Sequence, residues 1–331
     1  MKDSLDQHIK NILVDKNIIK NENFECLKLT GGVSSDIWKI SFLNHIFCIK
    51  KSKNKLSVQQ DWYAPVIRNY YEHKWYSEVN KIIPKITPKI FYTNNNPYFF
   101  VMKYYDTINF PLWKNELFNF KLDKIFTKNI AINLAKIHNK TFNNNKIANI
   151  FNTSELFEDL RINPYIRSTA ILHNDVKNIL LSIADNLHNT NIALVHGDIS
   201  PKNILKNNTS PIFLDAECAW YGDPAFDISF CLNHIILKSL ALDTIKEKLI
   251  NHFNILCENY LNNVFWEDPK IYEKRIIKLL CALMLSRIDG KSPVEYISLD
   301  FKKDKIRNFS KSILKNPVNS LLEFSEKWLI K

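Results

Sequence analysis

The stretch that decides the reading is Leu194-Val195-His196-Gly197-Asp198-Ile199-Ser200-Pro201-Lys202-Asn203, followed further on by Leu214-Asp215-Ala216-Glu217. Two apolar runs, at 192–195 and 211–214, flank the polar loop, as expected of two paired strands presenting their connecting loop to a cleft. The residue types suit phosphoryl transfer. The transferred group carries dispersed negative charge, so the protein needs mainly a carboxylate for the acceptor hydroxyl and oxygen ligands for magnesium. Asp198 fits the first role, and Asn203 and Asp215 the second. Taken singly, His196 reads as a core histidine and Asp198 as a turn acid. The fixed spacing to Asn203 and the strand that ends in Asp215 carry the functional reading.

Toward the amino terminus, Leu5, Ile9, Ile12 and Leu13 recur at helical spacing within residues 1–20. Short β-rich segments follow at 24–29, 37–42 and 45–50, the first two separated by Thr30-Gly31-Gly32-Val33-Ser34-Ser35. Pro65 opens a helical stretch with Tyr71, Trp75, Tyr76, Val79, Ile82 and Ile83 on one face, and Glu72 stands on that face too. Two more strands are expected at 89–93 and 98–102, around the turn Asn94-Asn95-Asn96-Pro97. Beyond about Tyr104 the pattern is helical near 116–140, 154–162, 170–187, 226–260, 271–288 and 307–329. The fold expected is α+β and two-lobed, with a small antiparallel-sheet lobe over 1–102 and a mainly helical lobe over 103–331.

A chain of 331 residues exceeds the size at which one core usually divides. The formal charge is +11, but the lysines are scattered among acids and form no basic stripe, so a nucleic-acid partner is not expected. The charge favours anionic ligands. Cys26, Cys48, Cys218, Cys231, Cys257 and Cys281 fall at irregular spacings with no CxxC pair, which reads as reduced core thiols. The leading segment MKDSLDQHIKNILVDK contains acids, and no run is long and apolar enough to span a bilayer, so no membrane association and a cytoplasmic address are expected.

The pattern HGDxxxxN plus a later Asp resembles the aminoglycoside phosphotransferase and choline kinase group, and the likeness extends over nearly the whole chain. The resemblance implies a protein-kinase-like fold and an ATP- and magnesium-dependent kinase. By it, Asp198 accepts or orients the acceptor hydroxyl, Asn203 and Asp215 hold magnesium, His196 braces the loop and Glu217 adds a water-mediated metal contact. Gly31, Gly32, Ser34 and Ser35 become a phosphate loop, since glycine lets backbone amides approach phosphate oxygens. Lys50 becomes the strand lysine on the α- and β-phosphates, with Glu72 as its helix partner. Alternation along Phe47, Ile49 and Lys51 against Cys48 and Lys50 does not itself decide between Lys50 and Lys51. Met102-Lys103-Tyr104-Tyr105 becomes the hinge, where Met102 and Tyr104 meet the adenine. Asp227 is placed as the N-cap of a long apolar helix, and the family uses it to anchor the catalytic loop's backbone. The segments AECAWYGDPAFD and DGKSPVEY resemble a bacterial subgroup without an assigned substrate.

A protein kinase would carry Arg in place of Gly197 and a long peptide-docking segment after the metal Asp. Only seven residues separate Asp215 from Asp223, so a small phosphoacceptor is expected. An aminoglycoside would call for acids, with Glu155, Glu158, Asp159 and Asp289 as candidates. A quaternary amine would call for an aromatic cage, with Trp220, Tyr221 and Tyr296. A sugar leaves no pattern to read. The competing class is a catalytically silent kinase-like protein that binds a nucleotide or metabolite. Intact Lys50, Glu72, Asp198, Asn203 and Asp215 weigh against it. The oligomeric state has no signature in the sequence.

Overall fold

The computed structural model describes residues 5–20, 24–30, 34–55 and 63–330. Internal contacts separate two compact units, Met1–Asn109 and Phe110–Lys331, a division seven residues later than the expected one.

The first unit is a five-stranded antiparallel sheet with two helices. In chain order its elements are α1 (Gln7–Asp15), β1 (Glu25–Leu29), β2 (Ser35–Phe42), β3 (His45–Ser52), α2 (Arg68–Ile82), β4 (Ile90–Asn95) and β5 (Tyr98–Lys103). The sheet order is β1-β2-β3-β5-β4. Alternation divides each strand between two faces. On one face Trp38, Ile40, Ile49, Phe99 and Val101 pack against Leu5, Ile9 and Leu13 at the amino-terminal helix. On the other, α2 buries Trp75, Tyr76 and Val79. Cross-strand register aligns Ile37, Lys50 and Phe100 in one row and Trp38, Ile49 and Val101 in the next. Lys50 and its neighbours Ile49 and Lys51 therefore point to opposite faces.

Arg68, in the first turn of α2, is fully buried. Its guanidinium donates to the carbonyls of Ala64, Pro65, Ser34 and Lys53 at 2.5–3.0 Å. It thereby ties the start of the helix to the start of β2 and the end of β3.

The second unit is mainly helical. Its helices are α3 (Trp113–Phe118), α4 (Lys124–Thr141), α5 (Asn145–Ile150), α6 (Ser154–Phe157), α7 (Ser168–Leu172), α8 (Lys177–Asn189), α9 (Ala225–Ala241), α10 (Lys246–Leu261), α11 (Pro269–Asp289), α12 (Asp300–Lys315) and α13 (Leu321–Ile330). Between α6 and α7 the chain makes wide π-helical turns over Glu158–Arg167, with Pro164 inside. Proline has no N–H for the ordinary i to i−4 bond, which accounts for the departure from α geometry in a stretch that reads as plain helix. The expected helix at 226–260 is two helices bent by 113° around Asp243–Ile245. The expected helix at 116–140 is likewise two, and Asp123 caps the second by accepting from the Phe126 amide at 3.0 Å. Among the described residues no single helix is long and apolar enough to cross a membrane.

Four short strands complete the unit: β6 (Ala193–Val195), β7 (Ile204–Asn207), β8 (Ser210–Phe213) and β9 (Trp220–Gly222). Here the structure corrects the expected pairing of 192–195 with 211–214. β6 pairs with β9, and β7 pairs with β8 through a tight turn in which Asn208 has φ +52°. Ile204 and Leu205 directly follow the polar loop and are apolar enough to form a hairpin with Pro211, Ile212 and Phe213. That local pairing closes a much shorter loop than the expected one.

Replacing Arg68 by Met would take the guanidinium donor from the Ala64 and Lys53 carbonyls and one of two donors from the Ser34 and Pro65 carbonyls. We expect a loss of about 3–5 kcal/mol in unfolding free energy by urea denaturation; a change below about 1 kcal/mol would show that water replaces the guanidinium.

Candidate active site

The loop between β6 and β7 is built from its backbone outward. Asp227, buried in the first turn of α9, accepts from the amides of His196 at 2.7 Å and Gly197 at 2.8 Å. It is not the N-cap. That position falls to Pro224, and the Asp223 carboxylate accepts from the Ala225 amide instead. Gly197 has φ +80°, and a Cβ there would lie 2.6 Å from the Cys218 carbonyl oxygen. Only glycine fits both the dihedral and the space.

His196 ties the loop to the segment that follows β8. Its Nδ1 accepts from the Asp198 amide at 3.1 Å, and its Nε2 donates to the Leu214 carbonyl at 3.0 Å. An amide only donates and a carbonyl only accepts, so the pair of bonds selects the neutral Nε2–H tautomer. Burial pushes this imidazole below its ordinary value, against the pull of Asp227, Asp198 and Asp215. The Asn203 carbonyl accepts from the Leu214 amide at 2.9 Å, which sets Asp215 beside Asn203. Asp215 itself has φ +66°, a costly conformation for a residue with a side chain and one that clusters at functional sites.

Asp198 is buried with its side chain held from several directions. Oδ2 lies 3.0 Å from Arg161 Nη2 and 3.2 Å from the exposed Lys202 ammonium, and Oδ1 accepts from Ser200 Oγ at 3.3 Å. Arg161 also donates through Nε to the Gly197 carbonyl at 2.6 Å. The Asp198 carboxylate raises the Lys202 ammonium above its ordinary value. Neither cation stood out in the sequence. Arg161 lies in the wide turn around Pro164, and nothing in EDLRINPYIR separates it from an exposed helical arginine.

In the first unit, Lys50 Nζ lies 2.8 and 2.7 Å from the two Glu72 oxygens, and Tyr76 Oη donates to Glu72 at 2.7 Å. Lys51 pairs with Asp6 at 3.1 Å, on the α1 face. Ser35 is buried, and the Ser34 carbonyl accepts from Arg68 and from the Lys53 amide. Gly31 and Gly32 lie outside the described residues. Met102 is buried, paired in register with Cys48 and Ile90, and Tyr104 is half-buried with the Lys39 ammonium 5.1 Å from its ring centroid.

Most of the residues considered for the acceptor already have partners in the structure. Trp220 stacks on Phe157 at 4.2 Å, and Tyr221 Oη lies 3.0 and 3.2 Å from the Ile192 and Thr141 carbonyls. Both are structural. The Tyr296 ring already carries a cation, the Lys238 ammonium at 4.4 Å. Glu158 is paired with Arg167 and His188, and Asp289 with Arg307 and His173. Glu155 and Asp159 are exposed, and Glu217 is buried next to Cys218.

A five-stranded antiparallel sheet unit and a helical unit with this loop together make the α+β fold of the kinase-like small-molecule phosphotransferases. Residues 153–246, which include His196, Asp198, Asn203, Asp215 and Asp227, match the model of the phosphotransferase enzyme family APH. The chain resembles choline kinase from Cryptosporidium parvum Iowa II, with TM-score 0.56 and 13% identity over 97% of this chain and 100% of the other. It resembles the streptomycin–ATP–APH(2″)-IIa ternary complex, with TM-score 0.54 and 14% identity over 94% and 99%. It also resembles spectinomycin phosphotransferase APH(9)-Ia bound to ADP and spectinomycin, with TM-score 0.52 and 13% identity over 99% of each chain. At these identities the likeness is one of fold. No curated protein matches the sequence.

Asp227→Ala removes the acceptor of two buried amides, and Gly197→Ala forces a Cβ against Cys218. We expect losses of about 3 and about 2 kcal/mol in urea denaturation. Parent-like stability of Asp227→Ala would mean that the loop finds another anchor.

Proposed function

We propose that the protein transfers the γ-phosphate of ATP, with magnesium, to a hydroxyl of a small molecule. The observation that carries this reading is the way His196 and Asp227 hold Asp198, Asn203 and Asp215 together on one loop and one strand end. The Lys50–Glu72 ion pair on the sheet supports it. On this reading Lys50 contacts the α- and β-phosphates and the segment 102–105 receives the adenine, while the expected phosphate-loop residues Gly31 and Gly32 lie outside the described residues.

The donor atoms suit magnesium. Asn203 Nδ2 donates to the Asp198 carbonyl at 3.1 Å, which leaves Oδ1 as an oxygen ligand, and the Asp215 carboxylate supplies another. Bound there with the nucleotide, magnesium would neutralise charge on the β- and γ-phosphate oxygens. Two protein ligands suffice for an ion that takes the rest of its shell from phosphates and water.

In the reaction, the acceptor hydroxyl oxygen forms a bond to the γ-phosphorus as the bond to the β,γ-bridging oxygen breaks. ADP leaves with that electron pair, and the hydroxyl proton passes to Asp198. Arg161 and Lys202 occupy Oδ2, so the acceptor hydroxyl is oriented at Oδ1, whose one hydrogen-bond partner among the described residues is Ser200, at the long distance of 3.3 Å. Arg161 and Lys202 are positioning residues for this carboxylate.

The test is ADP release with ATP and magnesium across hydroxyl acceptors, together with nucleotide binding. Asp198→Asn is expected to keep ATP affinity within about threefold and to lower kcat by 10²-fold or more. Asp215→Ala is expected to abolish magnesium-dependent turnover while the chain stays folded. Nucleotide binding without turnover of any acceptor would favour a silent binding protein, and full activity of Asp215→Ala would remove it from the metal site.

A further inference from the structure

A second set of charged side chains in the helical unit has no role in that reaction. Lys238, on α9, is only 2% exposed, yet its ammonium has no carboxylate, hydroxyl or carbonyl partner among the described residues. Its contacts are the rings of Tyr296 at 4.4 Å and Phe118 at 5.4 Å. One turn earlier on the same helix face, His234 is 6% exposed; its Nδ1 lies 3.4 Å from Tyr296 Oη and its Nε2 is unpartnered. Arg287, from α11, donates to the Ser292 carbonyl and hydroxyl and to Tyr165 Oη at 3.4 Å, and its buried Nε has no partner. Among the described residues no carboxylate lies within ion-pair distance of it.

Charge connects these groups with one another and with the transfer site. Burial, then Lys114 and Arg287, push the Lys238 ammonium down to about 7. Burial and the charges of Lys238, Arg287, Lys202 and Lys114 push His234 well below its ordinary value. Tyr165 bridges to the catalytic loop, with the guanidinium carbons of both Arg287 and Arg161 5.6 Å from its ring. Arg161 in turn holds Asp198. The nearby acids are already engaged: Asp289 by Arg307 and His173, and Asp198 by Arg161 and Lys202.

A buried cation without a counter-charge, with further cations half-buried beside it, costs stability, and such arrangements are found at binding sites. An aminoglycoside or a quaternary amine would add a further positive charge, and Lys238 already holds the Tyr296 ring. We infer that the acceptor hydroxyl is carried on an anion, a carboxylate or a phosphate ester, whose negative group is bound by Lys238 and Arg287. The inference rests on the phosphotransferase reading and names its substrate class.

The first measurement is the thermal midpoint of the full chain with inorganic phosphate, for the parent, Lys238→Met, Arg287→Leu and Lys50→Met. The parent and Lys50→Met are expected to rise by several degrees, and Lys238→Met and Arg287→Leu to respond by less than one. Without phosphate, Lys238→Met is expected to melt no lower than the parent, whereas a lysine with a merely structural role would leave a less stable chain. The second is ADP release with matched acceptors: glycerol, glycerate and glycerol 3-phosphate; ribose and ribose 5-phosphate; choline and kanamycin. An anionic member should be preferred tenfold or more, and the preferred pair tells carboxylate from phosphate. Lys238→Met should raise its KM at least tenfold with kcat within about twofold, and Lys238→Arg should restore it. A parent without a phosphate response, a response that survives Lys238→Met, or preferred turnover of neutral or cationic acceptors overturns the inference and leaves the kinase reading intact. Failure of the kinase reading shows differently, as loss of nucleotide binding beside an unchanged phosphate response.

Discussion

A carboxylate buried in a helical core must have its lone pairs used, or it costs several kcal/mol. Asp227 meets that demand with the loop between β6 and β7 that carries His196 and Asp198. Two of its acceptor sites hold the His196 and Gly197 amides, and a third faces His138 Nε2 at 3.3 Å. With Nε2–H given to the carboxylate, His138 Nδ1 accepts from Tyr260 at 2.8 Å, and Tyr260 meets Tyr272 at 2.9 Å. The chain of bonds crosses α4, α9, α10 and α11. The loop is therefore suspended from the core of the helical unit, not from its short strands, and its rigidity is inherited from the packing of four helices. His196 extends the same order outward by clasping the Asp198 amide and the Leu214 carbonyl.

The sheet unit uses the same device with the sign reversed. Arg68 is a buried cation whose donors are spent on carbonyls at the ends of β2 and β3, where the chain leaves regular pairing. Glu72 stands one turn later on α2, and Asn69 donates to the Lys50 carbonyl at 3.2 Å. One helix turn therefore fixes the backbone of β3 at Lys50 and the charge of its side chain. The two units share a logic in which a charge that cannot reach water orders the backbone beside the site.

Much of this was legible in the sequence because it rests on local rules. The strands of the sheet unit, α2, the turn at 94–97 and the pattern from His196 to Asp215 follow from periodicity and spacing. The choice between Lys50 and Lys51 did not, since alternation gives two faces without saying which one meets α2; the positions of α1 and Asp6 supply that. The pairing of β6 with β9 was hidden for another reason. Three-residue strands carry too little pattern, and the polar loop drew attention to the runs on either side of it. The breaks after Phe118 and Ala241 had weak signals in Asp123 and Asp243, outweighed by the apolar period around them. Arg161 had no signal, because its role depends on a wide turn that tertiary packing settles.

The same division between local and long-range order explains why the acceptor was the least legible part. Binding triphosphate and magnesium asks for a few residue types at fixed spacings, which a sequence displays. Recognising an acceptor asks for a sign of charge at a place, and at the place proposed here that sign is a sum over α3, α9, α11 and the segment after Gly290. Read in order along the chain, Glu155, Glu158, Asp159 and Asp289 are candidates for an acidic pocket, and Trp220, Tyr221 and Tyr296 for an aromatic one. In space Glu158 and Asp289 are paired with basic side chains and Tyr296 faces a lysine, whereas Glu155 and Asp159 stay exposed. What is left over is the charge of Lys238, Arg287 and Lys114, beside a neutral His234. The electrostatic character of this site is set by which charges remain after pairing, a quantity that composition does not contain and folding alone determines.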